Sequence, residues 1–179
     1  MYKFFIFVLL SAAVFSGFWR VSRESLLNPY SHGFYRYFAF VAVIGLIILN
    51  SQYWFLDPLS PFQKVSWTLL AFSILLAVSG FIMLKALGQP KNHNIDDTTT
   101  LVTRGIYLYI RHPLYGSLLL LAWGAYLKDT SFASTLLALA ATTLLVTTAR
   151  IEEIANYRKF GPAYAVYMEK TKMFIPFLF

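Results

Sequence analysis

Residues 101–117 read LVTRGIYLYIRHPLYGS, and the long apolar run after them makes this the stretch on which the chain turns. It holds Arg104, Arg111, His112, Pro113 and three tyrosines. Pro113 has no N–H and is pre-set for the first turn of a helix, so a helix is expected to begin there. Leu114 to Leu127 continues it for 14 residues, about 21 Å at 1.5 Å per residue. A hydrocarbon core is about 30 Å thick. Lys128-Asp129 marks the far end, so counting back one full span puts Arg111 and His112 at the near interface or slightly inside it.

The composition points the same way. The 179 residues are 58% hydrophobic and 13% charged, with a mean hydropathy of +0.60, whereas a soluble domain is about a quarter charged. That length suits a single integral membrane domain over residues 1–179, read as a three-helix membrane frame (1–88) and a second part (89–179) that carries the polar islands. The absence of cysteine excludes disulfides, thiolate zinc sites and a cysteine nucleophile. His32, His93 and His112 are too scattered to suggest a metal site. There is no glycine-rich phosphate loop and no nucleophile elbow. The net charge is +7, but the basic residues flank apolar spans, so anionic lipid and topology explain them and nucleic acid is not the expected partner.

The expected architecture is an all-α membrane protein with about five transmembrane helices. The spans are Tyr2 to Trp19, Phe34 to Phe55, Phe62 to Leu87, the short run after Pro113, and Thr130 to Ala149. Arg20, Arg23 and Glu24 are expected in a polar linker after the first span, and Gly88 to Thr100 forms the one long hydrophilic connection. Ile151 to Phe160 reads as a separate short amphipathic helix, ended by Gly161, with Pro162 starting another. Twelve of the fifteen basic residues fall in the first connection, the third connection and the tail. Five spans put those three regions on one side, so the N-terminus is expected outside and the C-terminus and both polar islands in the cytoplasm.

The islands are residues 101–117 and Ala149 to Gly161, ARIEEIANYRKFG. At Arg111-His112-Pro113, the free amides of a helix start attract an anion and Arg111 would reinforce them. The same tripeptide is also what an ordinary interfacial helix start looks like. Glu152 and Glu153 stand side by side in a chain with only eight acidic residues. They suit ribose hydroxyls or an ammonium group, or they are a solvated helix face of little energetic weight.

In combination, the pieces Leu101-Val102-Thr103, Gly105-Ile106-Tyr107, Arg111-His112-Pro113, Tyr115, Glu152-Glu153, Phe160-Gly161, Tyr164, Tyr167 and Pro176-Phe177 resemble the isoprenylcysteine carboxyl methyltransferases. That family belongs with the membrane phospholipid methyltransferases. The resemblance covers about the last 80 residues. It implies an integral membrane enzyme that uses S-adenosylmethionine to methylate a lipophilic or prenylated acceptor drawn from the membrane. It implies that Arg111, His112, Pro113, Tyr115, Glu152 and Glu153 bind the cofactor. Arg150 and Glu153 are then the expected catalytic residues, Arg150 facing a substrate carboxylate, and Asn92 and His93 the expected substrate contacts. Isoprenylcysteine-type carboxyl O-methylation is the leading expectation. The alternatives are N-methylation of a phosphatidylethanolamine-like amine, and a non-catalytic membrane protein that binds a ligand or serves as a scaffold.

Overall fold

The computed structural model describes residues 2–90 and 98–176. Among these the regular structure is helical: α1 (Tyr2–Leu27), α2 (His32–Leu49), α3 (Pro61–Leu87), α4 (Pro113–Tyr126), α5 (Phe132–Phe160) and α6 (Pro162–Lys170). Short 3-10 turns lie at Ser51–Tyr53 and Gly105–Leu108. The helix starts use the residues the sequence offers. Ser31, Ser60 and Ser131 cap α2, α3 and α5 through their hydroxyls, and prolines occupy the first turns of α3, α4 and α6. Gly161 closes α5 at φ +59°, where a Cβ would be strained.

Four helices, α1, α2, α3 and α5, are long and apolar enough to cross a membrane. The remaining expected span, α4, has 14 residues and is the most enclosed helix, with Tyr115, Gly116, Ser117, Ala122, Gly124 and Ala125 buried. It packs against α2, α3 and α5. Three boundaries differ from the sequence reading. α1 runs on through Arg20, Arg23 and Glu24 to Leu27, because nothing before Asn28-Pro29 stops it. α2 ends at Leu49 rather than Phe55, where Asn50 turns inward. Ile151–Phe160 is not a separate helix but the last turns of α5. No glycine or proline lies between Ser131 and Gly161, and Ala, Arg and Glu are good helix formers, so the hydrogen-bond ladder continues beyond the apolar run.

Small residues and buried polar groups hold the bundle together, as expected where lipid removes the hydrophobic incentive for helices to associate. α3 and α4 run antiparallel. Gly80 lies against Pro113 and Gly124 against Leu70 and the Ser66 backbone. Ser66 donates to the Gly124 carbonyl at 2.6 Å, and Ser73 to that of Ser117 at 2.8 Å. At the far end Asn50, fully buried, donates to the carbonyls of Ala125 (2.9 Å) and Asp129 (3.2 Å) and accepts from Ser134 at 2.8 Å. Buried Lys128 lies 3.7 Å from the Trp67 ring centroid and donates to Gln63 Oε1 at 2.8 Å. Burial lowers its pKa.

These ties fix which ends meet. The end of α1, the start of α2, the end of α3, the start of α4 and the end of α5 gather at one pole, where they line a single cavity. Asn50→Leu would remove a donor from the Ala125 and Asp129 carbonyls and the acceptor of the Ser134 hydroxyl inside the protein. It is expected to lower stability by about 2–3 kcal/mol, read as a fall in the thermal midpoint in detergent, while the same change at exposed Gln52 leaves the midpoint nearly unmoved.

Candidate active site

The site is built on an extended segment pinned to the tail. Gly105, at φ +60°, turns the chain into the Gly105–Leu108 turn. Residues 109–112 then run beside residues 172–173. Lys172 N–H donates to the Tyr109 carbonyl (3.0 Å), Arg111 N–H to that of Lys172 (2.8 Å) and His112 N–H to that of Met173 (3.1 Å). Tyr107 and Tyr167 buttress this segment from beneath, Tyr167 donating to the Tyr107 carbonyl at 2.8 Å and Tyr107 to the Gly80 carbonyl at 3.4 Å. Burial pushes both phenols, and that of Tyr164, above the ordinary tyrosine range, so they stay protonated and able to donate.

Arg111 sits at the join. Its Nε donates to Glu153 Oε1 at 2.6 Å, and its Nη1 to the carbonyls of Thr171 (2.5 Å) and Met168 (3.3 Å). One guanidinium therefore ties the start of α4 to α5 and to the end of α6. The pair is nearly withdrawn from solvent, at 10% and 11% side-chain exposure. His112, 4% exposed, brings Nε2 to 3.4 Å from the same Glu153 oxygen. That is within reach of charge attraction, but the geometry is not that of a hydrogen bond, and Nε2 is a buried atom with no hydrogen-bond partner. The imidazole stacks on Tyr115 with centroids 5.6 Å apart. Tyr115 in turn donates its hydroxyl to Glu152 Oε2 at 2.5 Å. The adjacent glutamates thus divide their work, since neighbours on a helix point about 100° apart. Glu153 faces inward to Arg111, and Glu152 faces Tyr115 and the cavity.

The cavity is about 1330 Å³. A single-ligand pocket spans about 300–1,000 Å³, so the space is ample for two substrates. Its polar end includes Arg111, His112, Tyr115, Glu152, Asn156 and Tyr164, and its apolar side Val14, Phe18, Phe40, Phe81 and Leu84. Among the residues singled out from the sequence, Arg111, His112, Pro113, Tyr115 and Glu152 line this cavity together. Glu153 stands behind the wall, paired to Arg111. Arg150 is exposed and is not among the lining residues. Asn92, His93 and Phe177 lie outside the described residues. Sequence reasoning did not single out Arg20, His32, Arg36, Asn156 or Lys159, all of which line the cavity. They come from three different helices: His32 and Arg36 share one face of α2, Asn156 and Lys159 the face of α5 that carries Glu152, and only the packing brings these faces together.

The family model described as phospholipid methyltransferase matches residues 62–163, more than half the chain. The chain belongs to the phospholipid methyltransferase family. It is therefore a membrane methyltransferase, of the family of integral membrane enzymes that includes the isoprenylcysteine carboxyl methyltransferases. No curated protein and no solved structure matches it. The matched residues run from α3 to the start of α6 and take in His112, Tyr115, Glu152 and Glu153. The walls supplied by α1 and α2, with Arg20, His32 and Arg36, lie outside that match.

The buried pair can be tested apart from the cavity. Glu153→Ala leaves the Arg111 guanidinium buried without its carboxylate and is expected to lower stability by about 3–5 kcal/mol. Glu152→Gln keeps a hydrogen-bond acceptor for Tyr115 and is expected to cost less than about 1 kcal/mol. Thermal unfolding of both variants in the same detergent reads the difference, and equal losses would mean that the two glutamates do not divide as described.

Proposed function

We propose that the protein transfers a methyl group from S-adenosylmethionine to a lipophilic acceptor at the membrane–cytoplasm interface, with carboxyl O-methylation of an isoprenylcysteine-type acceptor as the favoured reaction. One observation carries this reading. A cavity large enough for two substrates is bounded at its polar end by the Glu152 carboxylate and the Tyr115 hydroxyl it holds, beside His112, and on its other side by apolar helices. An adenosine bearing an amino acid fits that polar end in kind. Glu152, already holding the Tyr115 hydroxyl, accepts from ribose hydroxyls or an ammonium group. The start of α4 at Pro113 presents first-turn amides to a carboxylate. Glu153 anchors Arg111 from behind the wall and lies 3.4 Å from the His112 imidazole.

S-adenosylmethionine supplies a methyl on a sulfonium, which is already a strong electrophile. A carboxylate acceptor needs no base from the protein. It needs in-line alignment and removal of water, and the apolar side contributed by α1 and α3 provides the second. Arg150, exposed and away from the lining, is not assigned the substrate fork here. Pro90, Thr98 and Thr100 line the cavity. Asn92 and His93, outside the described residues, keep the acceptor contact that the family resemblance implies. The alternative acceptor is a phosphatidylethanolamine-like amine. It is favoured by the position of Glu152, since an amine nucleophile must lose a proton and a carboxylate on the cavity wall can take it.

Among the described residues, eleven of the fourteen basic residues fall at the site end and Lys3, Lys64 and Lys128 at the other. That bias supports a cytoplasmic active site and C-terminus, with the N-terminus outside.

Calorimetric titration with S-adenosylmethionine and S-adenosylhomocysteine tests the reading. The detergent-purified protein is expected to bind both in the micromolar range, and Glu152→Ala and His112→Ala to weaken binding by about tenfold or more, the loss of a charged hydrogen bond. Absence of binding by folded protein, in detergent and again in lipid nanodiscs, would remove the proposal.

A further inference from the structure

Glu152 is not the only polar group that α5 presents to the cavity. Asn156 lies four residues further on, on the same face of the helix, and belongs to the same wall. Side chains four apart on a helix have their Cβ atoms about 5–6 Å from one another. A nucleoside whose ribose hydroxyls meet Glu152 therefore has its base within reach of a neighbouring helical turn. The turn before Glu152 offers it nothing. Thr148 is fully buried, donates its hydroxyl to the Leu144 carbonyl at 2.7 Å and is not part of the wall. Along α5 the polar surface continues from Glu152 in one direction, toward Asn156.

The Asn156 carboxamide is half-buried and already has one neighbour. Its N–H is directed at the hydroxyl of Tyr164, a buried residue of α6. That contact holds the side chain across the α5–α6 turn. A carboxamide carries two N–H donors and one carbonyl oxygen, so one N–H and Oδ1 are left side by side, and no further hydrogen bond meets them among the described residues. A donor beside an acceptor complements N7 and the 6-amino group of adenine, the pairing that asparagine makes with this base. It does not complement a 6-oxo purine, whose O6 and N7 are both acceptors. Turning the amide over only changes which of the two is mispaired. Around Asn156 the wall suits a flat ring. Ala155 has no side chain beyond Cβ to fill the space, and Phe160 and Tyr164 add aromatic surface.

We propose that Asn156 is the residue that selects adenine in the cofactor: its free N–H and Oδ1 read N7 and the 6-amino group of the base while Glu152, one turn away, holds the ribose hydroxyls. The inference deepens the cofactor reading above and rests on it for the presence of a nucleoside at the polar end of the cavity. It commits Glu152 to the ribose rather than to the ammonium group.

The test is calorimetric binding of S-adenosylhomocysteine and of S-inosylhomocysteine, its 6-oxo analogue, to the full chain in a maltoside detergent, for wild type and Asn156→Ala. Wild type is expected to bind the adenosine compound about tenfold more tightly or better, the effect of one well-placed hydrogen bond set against a mispaired acceptor. Asn156→Ala is expected to bind S-adenosylhomocysteine about tenfold more weakly and S-inosylhomocysteine about as wild type does, so that the preference disappears. Retained binding of the 6-oxo compound also shows that the variant is folded. A preference for adenosine that survives in Asn156→Ala would overturn the proposal, even if both compounds bind more weakly, because an equal loss is what a merely structural residue produces. Equal binding of the two compounds by wild type would overturn it as well, and would leave the cofactor reading standing. Wild type that is folded and binds neither compound would overturn the cofactor reading itself.

Discussion

The buried pair of Arg111 and Glu153 is the constraint from which the rest of the site follows. A guanidinium taken out of water has to find a carboxylate and fill its remaining donors. Arg111 does both, with Glu153 Oε1 on one side and the carbonyls of Met168 and Thr171 on the other. Satisfying that one cation fixes the start of α4 against the end of α5 and the end of α6. His112 and Tyr115 then have only one place to go, at the edge of the cavity. Glu152, the next residue on the helix from Glu153, is turned to meet them.

The shortness of α4 belongs to the same design. A 14-residue helix does not cross a bilayer by itself. It is covered by its neighbours and preceded by the 3-10 turn and extended segment at residues 105–112, whose backbone lies inside the protein rather than in a helix. Such backbone is tolerated where protein satisfies its hydrogen bonds. Here the tail at Lys172 and Met173 and the phenols of Tyr107 and Tyr167 do so. The first turn of the helix therefore opens into a cavity that has a polar end and an apolar side.

The far end of the molecule is tied by polar groups of a different kind. Asn50 joins α2 to the α4–α5 turn, and Lys128 is enclosed by Trp54, Trp67 and Gln63. These contacts close that pole, while the opposite pole stays open around the cavity. The antiparallel helices are thus fastened at one end by side-chain hydrogen bonds and at the other by Arg111.

Local chemistry wrote much of this into the sequence. Long apolar runs, serine caps, and prolines and a glycine at helix ends are properties of neighbouring residues, so the helical membrane class, most helix positions and the two polar islands were legible directly. Pro113, the order of the motif pieces and the paired glutamates were enough to point to the family that matches residues 62–163. The boundary between the α5 span and its polar extension was not legible, because a change in hydropathy does not break a helix that contains no breaker. Nor was the division between Glu152 and Glu153, which depends on which face of α5 meets Arg111. Arg20, His32, Arg36 and Lys159 sit at helix ends, and nothing local says that those ends face one another. They share a cavity only because antiparallel packing brings the ends of α1, α3 and α5 to the starts of α2 and α4, and that packing is set by close contacts at Gly80, Gly124 and Asn50 between residues far apart in the chain.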